Sequence, residues 1–258
     1  MLNDSIQMKP KGKAQINKPF SLLGNQKMDN LNVNEIHIQD IANFIKGMVR
    51  YDRTFLIGID GGAGAGKSTF SRWLTNCIAE PMVSIVRNDD FYRPLMERWK
   101  GSIDEKPLGD DYDWKKLRDE VIHPLRSGRD ARFQRYDWLT GHLENWVEVR
   151  SGGITIIEGV LTTRNELSDL YDLRIWISCP GEVRIPRMLG RGDTPMNEID
   201  FWLPTETQYI TDHSPEKKAH IVIDSGMNVK SVIEKSWIVK MWSLPIKVRK
   251  MGCFPNND

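Results

Sequence analysis

A chain of 258 residues is long enough to bury one substantial α/β core. With 36 basic against 35 acidic side chains the net charge is +1, which excludes a general binder of polyanions, so no nucleic-acid partner is expected. The three cysteines, Cys77, Cys179 and Cys253, are odd in number and far apart, which fits neither a disulfide framework nor a zinc site and points to a reducing compartment.

Residues 1–33 are polar and without periodicity, and read as a flexible tail. The start carries no apolar h-region and no later run approaches membrane-spanning length, so the expectation is a cytoplasmic protein with no membrane partner. From Asn34, a candidate N-cap, Ile38, Ile41, Ile45 and Met48 recur at helical spacing and predict an amphipathic helix over 34–50. The apolar run "TFLIGID" predicts a strand, followed by a Gly-rich turn and a helix to about Ala79. Further strands are predicted at 82–86, 154–160, 173–178 and 220–224, each apolar on both faces as covered parallel strands are. Helical patterns fall between them: Trp114, Leu117, Val121 and Leu125, then Val183 to Leu189, then roughly 196–212. This alternation predicts one α/β domain over 34–240, a three-layer α/β/α sandwich around a central parallel sheet of about five strands, with 241–258 as a second tail.

Gly61-x-x-x-x-Gly66-Lys67-Ser68 matches the P-loop pattern in the setting that pattern needs, a strand before and a helix after. Gly61, Gly62, Ala63, Gly64, Ala65 and Gly66 let the main chain approach a large anion, and the amides of residues 62–68 are expected to turn inward at the positive end of the helix. Lys67 would bridge the β- and γ-phosphates, Ser68 would ligate Mg²⁺, and Thr69 completes the cradle. No Asn-Lys-x-Asp segment follows and no Leu-Ser-Gly-Gly-Gln signature occurs, which sets GTPase switches and transport ATPases aside.

Two acidic positions follow predicted strands. In "RNDDFYRP", Asp89 and Asp90 sit where a carboxylate could take a proton from an attacking hydroxyl or orient Mg²⁺, and either could instead cap a helix. Glu158 ends "ITIIE", the place of a direct or water-mediated Mg²⁺ partner, or of a plain strand-end glutamate.

With "GIDGGAGAGKSTFS", "DDFYRP", "DYDWKKL", "PLRSGRDARFQRYDW", "IIEGV" and "RIPRMLGRGD", the chain from about Phe55 to Asp224 resembles the uridine/cytidine kinase group, related to phosphoribulokinase and bacterial pantothenate kinase. The resemblance implies ATP and Mg²⁺ as cofactors and a small-molecule acceptor. It implies a catalytic base at Asp89, with Tyr92 close to the acceptor, and a nucleoside pocket lined by Tyr136, Asp137 and Trp138; Asp90 and Arg93, from the same segment as Asp89, are further substrate-binding candidates. It further implies Mg²⁺ at Glu158, and a lid whose arginines, matched by Arg184, Arg187 and Arg191, reach the transferring phosphoryl group. The spacing of those arginines puts them on one helical face, and Asp137 between two aromatics could hydrogen-bond a polar acceptor. Where members that phosphorylate uridine usually carry Phe-Asp-His-Pro, this chain has "DEKPLGDDYDW", and His142 is the nearest histidine past Tyr136-Asp137-Trp138. The resulting expectation is an ATP-dependent phosphotransferase acting on a nucleoside. The alternatives are a kinase for a pantothenate- or nicotinamide-riboside-like hydroxyl, or a non-catalytic nucleotide-binding regulator; a homo-oligomer is compatible with each.

Overall fold

The computed structural model of the chain describes residues 34–49, 52–79, 82–102, 105–192, 196–226 and 236–242. In chain order the first elements are β1 (Asn34–His37), α1 (Ile38–Met48), β2 (Phe55–Gly61), α2 (Lys67–Ile78) and β3 (Val83–Arg87). A helical segment follows, running through α3 (Trp114–Lys116), a π-helical stretch Leu117–Ile122 and α4 (His123–Arg126). A hairpin of β4 (Ala131–Tyr136) and β5 (Leu143–Val149) leads to β6 (Ile154–Glu158), α5 (Asn165–Ser168) and β7 (Leu173–Ser178). The described chain then runs through α6 (Gly181–Arg191), α7 (Met196–His213), α8 (Pro215–Lys218), β8 (Ile221–Asp224) and β9 (Ser236–Trp242).

The large sheet has the order β1-β9-β8-β7-β2-β6-β3. Its five members from β8 to β3 are parallel, as expected, and β9 and β1 extend it antiparallel. Strand β2 sorts its side chains by alternation. Ile57 and Ile59 join Ile156, Ile175 and Ile177 under α1 and α2, where Ile41, Ile45, Phe70 and Leu74 are buried. Leu56 and Ile157 face the opposite layer, against Val86, Leu117, Val121, Leu125 and Leu167. Burying a side chain of this size stabilises the fold by about 1.5–3 kcal/mol before chain entropy is subtracted, so two-sided burial of β2 makes it the centre of the structure.

Two expectations are corrected, and one hairpin is added. Asn34, read as a helix N-cap, opens a strand opposite Val239, and α1 begins only at Ile38. Residues 34–37 meet an open sheet edge, and pairing its backbone groups outweighs a local capping preference. Residues 241 and 242, assigned to the second tail, belong to β9. The hairpin β4–β5 had no counterpart in the periodicity, because "ARFQRY" alternates charge with only a few apolar residues; Ala131 and Phe133 reach the second core while Arg132 and Arg135 stay outside. Residues 1–33 and 243–258 lie outside the described residues.

The carboxyl ends of β2, β3, β6, β7 and β8 all open on one edge, and β2 lies between neighbours reached by chain excursions in opposite directions. In open α/β sheets that is where ligands bind.

Candidate active site

Helix α2 starts at Lys67, and its N-cap Gly66 has φ +95°, a left-handed conformation that disfavours any side chain. Nothing lies within 4 Å of a Cβ built on Gly66, so its backbone angle alone requires glycine. Gly62 is different. A Cβ there would lie 2.8 Å from Glu206 Oε1 and 3.0 Å from Arg184 Cζ, so two side chains press against it. The expected inward turn of every amide from 62 to 68 is corrected at two positions. Ala63 N–H donates to Glu206 Oε2 at 2.9 Å and Ala65 N–H to Gly62 O at 3.1 Å, because a buried carboxylate from α7 and a tight turn claim the first half of the loop. Lys67, nearly buried, donates from its ammonium to Gly61 O and Gly62 O, both at 2.9 Å.

At the second residue of α2, Ser68 Oγ donates to Glu158 Oε1 at 2.9 Å. Glu158 is only 4% exposed, and burial pushes its carboxyl above the usual range against the opposing pull of Lys67 and the Ser68 hydroxyl. Asp89, in the single turn after β3, lines the same cleft as Lys67, Ser68 and Glu158 and accepts a long hydrogen bond, 3.4 Å, from Tyr112 OH. That turn is fixed from beneath by Asn88, whose Nδ2 donates to Val160 O at 2.7 Å. Under the loop, Asp60 is fully buried: Oδ1 accepts Gly61 N–H, and Oδ2 accepts Thr163 N–H, Thr163 Oγ1–H and Tyr209 OH, the last at 2.6 Å. Burial is the largest influence on Asp60 and raises its pKa, opposed by those donors and by Lys67.

The far wall is aromatic. Tyr92 is buried with its ring 4.9 Å from Tyr112, 5.5 Å from Tyr136, 4.9 Å from Trp138 and 5.8 Å from Trp202. Tyr112, Trp138 and Trp202 line the cleft itself. Arg98 lies 4.2 Å over the Tyr92 ring and donates to Tyr136 OH at 2.6 Å, joining the two tyrosines.

Other anticipated residues sit elsewhere. Asp137 accepts Leu139 N–H and Thr140 N–H at 2.8 and 3.1 Å, which fixes the hairpin turn and holds its carboxyl below the usual range. Arg93 donates to Asp110 O at 2.8 Å and lies 3.6 Å from an Asp113 carboxylate oxygen. Asp90 is half-buried, and burial raises its pKa. None of these three lines the cleft, and His142 is an exposed hairpin residue.

The three arginines of α6 do line it. Arg184 is buried against Glu206, with a second donation from Nη1 to Ala63 O at 3.1 Å. Arg187 donates to Ser225 O at 3.0 Å, and Arg191 is exposed at the end of the helix. Tyr112, Trp202, Glu206 and Tyr209 had not been singled out. The last three carried a signal in their helical spacing, which with His213 marks one face of α7, whereas Tyr112 carried none outside "DYDWKKL".

The cleft holds about 1050 Å³, room for a nucleotide and a small acceptor. Its donor set suits Mg²⁺: a hydroxyl and one buried carboxylate already in contact are the hard oxygen ligands that ion takes beside phosphate and water. Among the described residues no cluster of three or more His, Cys, Asp or Glu side chains could hold a metal alone, and no helix is long and apolar enough to cross a membrane.

The chain is 30% identical over 197 residues to a uridine kinase of Halobacterium salinarum, covering 69% of this chain and 84% of that one. A uridine kinase of Clostridium novyi is 29% identical over 199 residues, with 70% and 92% covered. Among solved structures, a possible uridine kinase from Bacillus stearothermophilus superposes with a TM-score of 0.57 at 20% identity, over 72% of this chain and 96% of that one; at this identity the likeness concerns the fold. Residues 56–230 match the model of the phosphoribulokinase/uridine kinase family, and the chain belongs to that family as an ATP-dependent kinase that transfers phosphate to a hydroxyl group.

Proposed function

We propose that the chain transfers the γ-phosphoryl group of ATP to a hydroxyl of a nucleoside, as a uridine-kinase-like enzyme. The observation that carries this reading is the placement of Asp89 in one cleft with Lys67, Ser68 and Glu158, beside a wall of Tyr112, Trp138 and Trp202. The aromatic wall suits a flat heterocycle, and the carboxylate beside it suits the hydroxyl that such a ring carries on its sugar.

In this reading the later amides of the loop and Lys67 hold the phosphates. Ser68 and Glu158 would hold Mg²⁺, which neutralises phosphate charge when bound. Asp89 accepts the proton of the acceptor hydroxyl as its oxygen bonds to the γ-phosphorus, and the bond to the bridging oxygen breaks to release ADP. Tyr112 keeps its proton, since burial raises its pKa well above the ordinary value, so it donates to Asp89 and holds the carboxylate in place. Arg187 and Arg191, on the cleft side of α6, stabilise charge on the moving phosphoryl group.

The test follows ADP release from the purified protein with a panel of nucleosides, pantothenate and nicotinamide riboside, in parallel with Asp89→Asn. Turnover with a nucleoside is the expected result. The variant should lose about 10²–10⁴ in kcat while binding ATP as before, the range for removal of a general base. ADP release only with pantothenate or nicotinamide riboside would overturn the uridine-kinase-like substrate class, and undiminished turnover by the variant would overturn the role of Asp89.

A further inference from the structure

We infer that Glu206 is a positioning residue of the phosphate loop, holding Ala63 and the lid residue Arg184 in one buried hydrogen-bonded unit on which ATP affinity depends. This rests on the reading of the cleft as the ATP site.

Glu206 is a charged side chain only 5% exposed, and each of its oxygens is engaged. Oε2 accepts Ala63 N–H at 2.9 Å and Arg184 Nη1–H at 3.3 Å, and Oε1 accepts Arg184 Nη2–H. Arg184 Nη1 also donates to Ala63 O at 3.1 Å, so both polar groups of one loop residue are gripped, one by each member of the ion pair. The pair rests on Gly62, where a side chain would collide with it. One turn further along α7, Tyr209 OH donates to Asp60 Oδ2, and Asp60 Oδ1 accepts Gly61 N–H at 2.7 Å. One turn earlier, Trp202 stands in the aromatic wall. A single face of α7 thus touches the loop at its foot and in its first half and reaches the acceptor side of the cleft.

Loop amides stabilise phosphate only if they are oriented before it arrives, because reorienting a peptide on binding subtracts from affinity. The Ala63 peptides have no helix or strand to orient them. The Ala63 N–H is itself taken by Glu206, so what Glu206 and Arg184 supply, by fixing Ala63 through both its N–H and its carbonyl, is the orientation of the peptides that follow it. Glu206 also neutralises a guanidinium that would otherwise be a buried unpaired charge.

The experiment measures the dissociation constant of Mg²⁺·ATP, without acceptor, for the unsubstituted protein, Glu206→Gln and Glu206→Asp, at a temperature where thermal unfolding shows each to be folded. Glu206→Gln keeps the shape but not the charge, and cannot serve both the amide and the guanidinium as an anion does. ATP binding should weaken about tenfold, the equivalent of one charge-assisted hydrogen bond. Glu206→Asp keeps the charge with a shorter reach and should recover part of the affinity; it carries the test if the glutamine variant does not fold. Wild-type affinity in the folded variants, with only a lowered melting temperature, would overturn the proposal, since the carboxylate would then be packing alone. Tighter ATP binding would also overturn it, by showing that Glu206 competes with phosphate. Failure of the unsubstituted protein to bind ATP would instead refute the reading of the cleft.

Discussion

Gly62→Ala isolates the contact between the phosphate loop and α7. The added methyl would lie 2.8 Å from Glu206 Oε1, 3.0 Å from Arg184 Cζ and 3.1 Å from Arg184 Nε. Ends of long side chains usually swing aside, but these two are buried and bonded to each other and to Ala63, so moving one breaks the set. Overpacking of this kind costs about 1–3 kcal/mol. Alanine also restricts the unfolded chain, which returns about 0.4–1 kcal/mol, so from the middle of each range the net loss is about 1.3 kcal/mol. At about 2–4 °C per kcal/mol for a domain of this size, the melting temperature should fall by several degrees. The assay is thermal unfolding with and without Mg²⁺·ATP, for Gly62→Ala, Glu206→Ala and the double variant. Truncating Glu206 opens the space the methyl needs, so the double variant should be more stable than the two single losses add up to. Strict additivity, or a Gly62→Ala protein as stable as the parent, would refute the claim that Glu206 and Arg184 are held rigidly against the loop.

The remaining predictions concern two titrating side chains. His220 is buried with Nδ1 accepting Arg174 N–H at 3.0 Å, and burial first, then the Arg174 charge, lowers its pKa from 6.5 to about 4. The unfolded chain therefore binds the extra proton between those values, so this contribution is complete above about pH 6.5 and declines as pH falls toward 4. Urea unfolding should show up to about 2 kcal/mol more loss between pH 6.5 and 5 in the parent than in His220→Gln, at 1.36 kcal/mol per pH unit; equal losses would refute the assignment. Glu158→Gln preserves an acceptor for Ser68 but removes the charge. The Mg²⁺ concentration for half-maximal activity should rise about 10–100-fold, while thermal stability holds or improves because a carboxylate that burial disfavours has gone. An unchanged Mg²⁺ dependence would overturn the proposal that Glu158 holds Mg²⁺.

Much of the fold was legible because the signals were local. The apolar runs in β2, β6 and β7 are buried on both faces, and covered parallel strands need such runs. The Gly66-Lys67-Ser68 junction announces both a left-handed cap and the start of α2. The edge was less legible. Residues 34–37 pair with a strand some 200 positions later, and nothing within four residues encodes that partner. Among the site residues, Asp89, Lys67, Ser68, Glu158 and Trp138 share one cleft, whereas Asp137 and Arg93 are spent on a turn and on neighbouring aspartates. A turn-forming aspartate and a ligand-binding one look alike between two aromatics, since the side-chain chemistry is the same and only the position of the backbone donors differs.

By itself the sequence determined the strand–helix alternation, the glycine-rich loop and its lysine at the head of α2, and the acids at the strand ends, because each depends on residues adjacent in the chain. Only the tertiary structure decided that Glu206 and Arg184 would close on the first half of that loop, and that Tyr112 and Trp202 would complete the aromatic wall. The contacts of α7 with the loop join residues more than a hundred positions apart, as in the Ala63–Glu206 bond, and exist only once burial of the shared core has brought α7 against β2.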